Sequence, residues 1–193
     1  MENKEKMMTG EESLSIITDM INKTKLNIQQ SSFHLLFWGW LIFFCSLSEY
    51  LLFRFDMFEK SYYIWLFVIP GIFVSLIYGF LNGRKQKAFT YADRLYMWTW
   101  LGFMVTAIIL FVILSRQLEN VGPFILLLAG YPTFISGMII KFKPLILGGI
   151  LFWILSIAAY FASPAIAPLA MPIAVLCGYL IPGYILKRKG NNE

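Results

Sequence analysis

Four side chains in the long apolar runs of this chain are of types that do chemistry: Glu49, His34, Cys45 and Cys177. Glu49 is the one acid inside such a run. A carboxylate there could hold a proton or a cation, or pair with a base. Arg54 follows about one and a half helical turns later, and Lys60 and Arg116 fall at the same end of the pattern. The spacing therefore fits an interfacial ion pair as well as it fits ion or proton handling. His34, the single histidine, opens the same run and could titrate near neutral pH. It has no second histidine with which to form a dyad. Cys45 and Cys177 read as small apolar fillers. One histidine and two cysteines are too few ligands for a metal centre, so no metal and no cofactor is expected. Gly-x-Ser-x-Gly, His-Glu-x-x-His and a phosphate-cradling glycine loop are all missing from the sequence. The expectation is a protein that is not an enzyme.

The runs that carry these residues dictate the rest. Hydrophobic residues make up 59% of the chain and charged residues 14%, against about 25% charged in an ordinary soluble domain. A bilayer core of about 30 Å takes roughly 20 apolar helical residues. Spans are predicted at 33–54, 62–82, 95–115, 121–140, 144–163 and 167–186. They should be helices, because lipid offers no partner to an open backbone N–H or C=O. The fold class is an all-α membrane protein: six transmembrane helices behind an amphipathic cytoplasmic helix. Residues 1–32 form the arm, 33–187 the membrane domain and 188–193 a tail. The hydrophilic start predicts no cleavable signal.

Of the 16 Lys and Arg, all but Arg54, Lys60 and Arg116 fall on one side of the predicted spans. By the positive-inside rule both termini are cytoplasmic, and the location is a bacterial cytoplasmic (inner) membrane. The net charge of +5 then reads as topology and attraction to anionic headgroups. Nucleic acid is not an expected partner; the lipid bilayer is. Trp38, Trp40, Tyr91, Tyr96, Trp98, Trp100 and Tyr184 fall toward the inner interface, where amphipathic rings form a belt.

Residues 10–30 are the one substantial segment outside the spans. Thr9 and Glu12 match a capping box. Leu14, Ile17 and Ile21 then recur at helical spacing, with Glu12, Asp19 and Lys23 opposite. Ile16 and Leu26 fall toward the polar face. The apolar stripe could lie on the inner leaflet or the protein's own loops, or dock a cytoplasmic partner or a second copy.

Small residues let helices approach closely in lipid. The second span carries Gly71, Ser75, Gly79 and Gly83 at period four. The fourth has Ala129, Thr133 and Gly137, and the sixth has Ala170, Ala174 and Gly178. The even spans are thus expected to form the tight centre, with the odd ones facing lipid. They also share Pro70, Pro132 and Pro182 as possible hinges.

Four stretches taken together resemble a group of small bacterial six-span membrane proteins of uncharacterised function: Ser32-Phe-His-Leu-Leu-Phe-Trp-Gly-Trp40, Tyr131-Pro-Thr-Phe-Ile-Ser-Gly137, Phe142-Lys-Pro-Leu-Ile-Leu-Gly-Gly149 and Ile181-Pro-Gly-Tyr184. The resemblance implies no catalytic residue and a regulatory or stress-response setting. The leading expectation is a non-enzymatic interaction or regulatory membrane protein. The alternative is a small solute or ion transporter or channel using the kinked second, fourth and sixth helices and Glu49.

Overall fold

The structure is a computed structural model, and it describes residues 32–52, 54–55, 62–83, 91–114 and 121–192. The amphipathic arm, Lys60 and Arg116 lie outside the described residues. What is described is helical apart from short turns. Helix α1 runs Ser32–Leu52. It is followed by α2 (Val68–Gly83), α3 (Tyr91–Ile113), α4 (Val121–Ile139), α5 (Lys143–Phe161), α6 (Ala170–Val175) and α7 (Ile181–Asn192). Among the described residues, six segments are long and apolar enough to cross a membrane: Ser32–Leu52, Tyr63–Leu81, Arg94–Ile113, Val121–Ile139, Lys143–Phe161 and Ala167–Arg188. Each end lies within two residues of the sequence expectation.

The prolines show how these segments are built. Pro70 falls in the first turn of α2, just after a 3-10 stretch over Tyr62–Phe67. Proline has no N–H to offer the carbonyls of that stretch, and the winding changes from 3-10 to α there. Pro144 opens α5, where a first-turn N–H has no intrahelical acceptor to lose. Pro132 lies inside α4, which continues through it. Pro182 follows a π turn over Leu176–Leu180 that divides the sixth segment into α6 and α7.

The core sits where α4, α5 and the sixth segment meet. Phe152, Leu126, Leu145, Val175, Thr133, Pro132 and Ser136 are each under 2% exposed. Helices α4 and α5 form an antiparallel hairpin in close register. Gly137 faces Ile146, Gly149 faces Phe134, and Gly130 faces Trp153. A Cβ on Gly149 would stand 2.7 Å from the Phe134 backbone nitrogen, so the two backbones nearly touch. Gly148, one residue earlier, turns to the sixth segment and abuts the Gly178 carbonyl. Ser156 Oγ donates to the Pro123 carbonyl at 2.8 Å and closes the far end of the hairpin.

This arrangement corrects the expectation that even-numbered helices make the centre. The fourth and sixth do. The second does not, because few of its residues are buried, and α5 takes its place. The third segment buries none of its residues, as an outward-facing helix would. Helix α1 packs between α2 and the sixth segment: Gly71 abuts Leu41, while Gly39 abuts Leu180.

The α4–α5 connection is a Schellman closure. The Phe142 N–H donates to the Gly137 carbonyl at 2.9 Å, and the Lys141 N–H to the Met138 carbonyl at 3.2 Å. Lys141 occupies the left-handed position usually given to glycine, with φ 53°. That conformation costs a side-chain-bearing residue about 1–2 kcal/mol. Lys141→Gly is therefore expected to stabilise the protein by about 1 kcal/mol, after glycine's greater unfolded-state entropy is subtracted. A raised midpoint in a denaturing-detergent titration would show it. A lowered one would mean that the lysine side chain contributes more than the strain removes.

Candidate functional site

Polar side chains of the spans gather in three places, each joining different helices. The first is at Glu49. Helix α1 presents it half-buried toward the 3-10 stretch before α2, with the Trp65 side chain beside it. One turn earlier on the same face, buried Cys45 places Sγ 3.8 Å from the Ile64 carbonyl. Trp65 was not foreseen as a neighbour; the spacing pointed to Arg54, which is exposed here, and to two bases outside the described residues. A carboxylate beside one indole donor keeps lone pairs free for a proton or a monovalent cation. Among the described residues, no group of three or more His, Cys, Asp or Glu comes together to hold a metal.

The second place is the other end of the α1–α2 contact. Ser75 Oγ accepts from Trp38 Nε1 at 3.4 Å and faces His34 Nδ1 at 3.3 Å. Tyr78 stacks on Phe33 and meets His34 edge-on. His34 is thus an inter-helix contact, half-buried between aromatic rings. The small-residue stripe of α2 divides accordingly. Gly71 and Ser75 face α1, whereas a Cβ on Gly79 would meet nothing within 4 Å. Gly83 ends the helix.

The third place is a cluster from α3, α4 and the π turn. Trp100 Nε1 donates to Ser136 Oγ at 3.2 Å. Tyr96, one turn before Trp100, lies beside the same pair. Thr133 Oγ1 donates to the Ala129 carbonyl at 2.7 Å and lies 3.0 Å from the Tyr179 hydroxyl. Since the threonine proton is engaged, the tyrosine donates. The Trp100 and Tyr179 rings also approach, with centroids 6.5 Å apart. The other small residues named from the sequence flank this cluster. Ala129, Ala170 and Ala174 are buried, Gly137 touches α5, and Gly178 lies under the Phe152 ring.

Sequence reasoning found Thr133 as a packing residue and assigned Tyr96 and Trp100 to the interfacial belt. It missed Ser136 and Tyr179. The usable signal was spacing: Tyr96 and Trp100 are four apart, and Thr133 and Ser136 three apart, so each pair shares one helix face. The cluster holds hydroxyls and an indole, and no carboxylate, imidazole, amine or thiol. It can hold helices together or bind a neutral polar group, but it has no pair for acid–base catalysis at neutral pH. Every buried side-chain nitrogen or oxygen among the described residues has a hydrogen-bond partner.

The apolar surface is large and simpler. A crevice between α2 and α3 is lined by Val68, Ile72, Met104, Ala107, Ile108, Phe111 and Val112. With no polar group aimed into it, it has the character of a lipid-facing seam. Comparison with known proteins yields no family: no family model, no curated protein and no solved structure matches this chain.

Proposed function

We propose that the chain is a multi-pass protein of a bacterial cytoplasmic membrane, with both termini in the cytoplasm. In this reading it catalyses no reaction and acts by binding, with residues 10–30 docking a cytoplasmic partner or a second copy. The observation that carries the reading is that the polar groups of the spans are engaged with one another. Trp65 stands beside Glu49, Ser75 holds Trp38 and His34, Ser136 holds Trp100 beside Tyr96, and Thr133 holds Tyr179. A binding protein asks nothing more of them than helix association. The sorting of Lys and Arg supports the orientation.

Affinity purification in mild detergent, comparing the full chain with a chain lacking residues 1–30, tests the proposal. A stoichiometric partner or second copy is expected with the full chain alone, while the six spans of both forms insert equally. Identical sets from both forms would end this reading.

A second reading is favoured by the Glu49–Trp65 contact, which places a carboxylate in the helical assembly beside a neutral donor. In that reading the chain is a small transporter or channel moving an ion or solute, with Glu49 as the group that changes charge. Glu49→Gln keeps an acceptor for the Trp65 N–H and removes the charge. Loss of flux in proteoliposomes with unchanged thermal stability is the expected outcome. Flux equal to that of the unaltered protein would exclude Glu49 from the path.

A further inference from the structure

The sixth segment changes its winding partway along. The Ile181 N–H bonds to the Leu176 carbonyl, five residues back. That leaves the Cys177 carbonyl without a helical donor. Its α-type partner would be the Ile181 N–H, which is engaged, and its π-type partner would be Pro182, which has no N–H. A missing ladder bond is a point of weakness, tolerated in a span where protein covers it. Gly178, Tyr179 and Leu180 are buried, with Gly178 under Phe152 and against Gly148.

The two halves of the segment are held by different neighbours. Before the turn, Ala174 and Val175 are sealed in the core, at 0% and 1% exposure. After it, α7 packs on α1, with a slighter contact to α5: Gly183 abuts Leu35 and Leu36, and the Tyr184 hydroxyl accepts from Trp40 Nε1 at 3.2 Å. At the turn itself one polar bond ties the segment to α4, that of Tyr179 to Thr133.

The geometry points to a register hinge at Leu176–Leu180, latched by Tyr179 on Thr133, about which α7 and the attached start of α1 move against the α4–α5 hairpin. This inference is independent of what the arm binds. In an α register the Pro182 ring would press on the Gly178 carbonyl and force a kink. The π turn avoids that clash by adding a residue to one turn. The two windings differ by one residue, a displacement of about 1.5 Å and about 100° for whatever follows. Packed helices pass between such discrete arrangements, and π turns recur at functional sites.

Backbone hydrogen exchange of the full chain in lipid nanodiscs, read by mass spectrometry, tests the hinge. Amides of 177–181 are expected to exchange at least tenfold faster than those of 148–156 in α5. Tyr179→Phe and Thr133→Val should each speed the turn by a further tenfold and leave α4 and α5 unchanged. Pro182→Ala restores an N–H and should slow the turn to the rate of α5. If Tyr179→Phe does not fold, Thr133→Val removes the same bond while keeping the side chain's shape. Equal protection of the turn and α5 in the unaltered protein would overturn the hinge. So would a uniform rise across α4 and α5 in the latch variants, or a turn indifferent to Pro182→Ala.

Discussion

Gly149→Ala is expected to unfold the α4–α5 hairpin or to prevent its assembly, an effect among the largest of any single methyl at the described glycines. The added carbon would stand 2.7 Å from both the backbone nitrogen and the Cβ of Phe134 and 2.8 Å from its Cα. No rotamer change relieves a clash with backbone, so the helices must separate along their length. Overpacking a core by a methyl commonly costs about 1–3 kcal/mol, and a backbone-to-backbone contact belongs at or above the top of that range. In lipid the loss falls on packing itself, because apolar side chains lose no hydrophobic energy when they leave one another for acyl chains. Gly79→Ala and Gly102→Ala are the matched controls, since neither added methyl meets anything within 4 Å. Detergent-titration unfolding should separate Gly149→Ala from both controls. If all three variants unfold alike, the hairpin is not the tight centre of the fold.

The second large effect is a pair that repairs itself. A Cβ on Gly178 would run into Cε2 of the Phe152 ring, while its approach to the Gly148 carbonyl, 3.4 Å, is ordinary contact. The obstacle is therefore a side chain. Gly178→Ala alone should cost about 2 kcal/mol. Phe152→Leu alone leaves a void under Gly178 and should cost about as much. Together the alanine fills what the ring vacates, so the double variant should be destabilised by less than the sum, with a coupling of about 1–2 kcal/mol. Strict additivity would mean that α5 and the π turn do not meet as described.

The spans themselves were legible because hydrophobic length is a local property, and each end falls within two residues of its expected place. Which faces meet was legible only in part. A search for small residues at period four finds Gly137 and Gly178 on packing faces, but it also finds Gly79, which faces open space. It passes over Gly148 and Gly149, because adjacent residues point about 100° apart on a helix. That divergence is their use: one faces Gly178 and the other Phe134. Trp100 looked like a belt residue because an indole suits a headgroup layer. Its partner Ser136 is on another helix, and no local pattern announces a pairing across 36 residues. Pro182 signalled an interruption, but not that Gly148 and Phe152 of another helix pack against the turn before it.

The seat of the first helix against the last sets a timetable for synthesis. Trp40 and Tyr184 are 144 residues apart. At about 5–20 residues per second, a ribosome delivers the tyrosine roughly 7–30 s after the tryptophan. Through that interval the face of α1 bearing Leu35, Gly39 and Trp40 waits uncovered, with α2 alone beside it. A nascent chain halted before Tyr179 would display that bare face as a mark of incompleteness, open to whatever machinery retains or degrades unfinished membrane proteins.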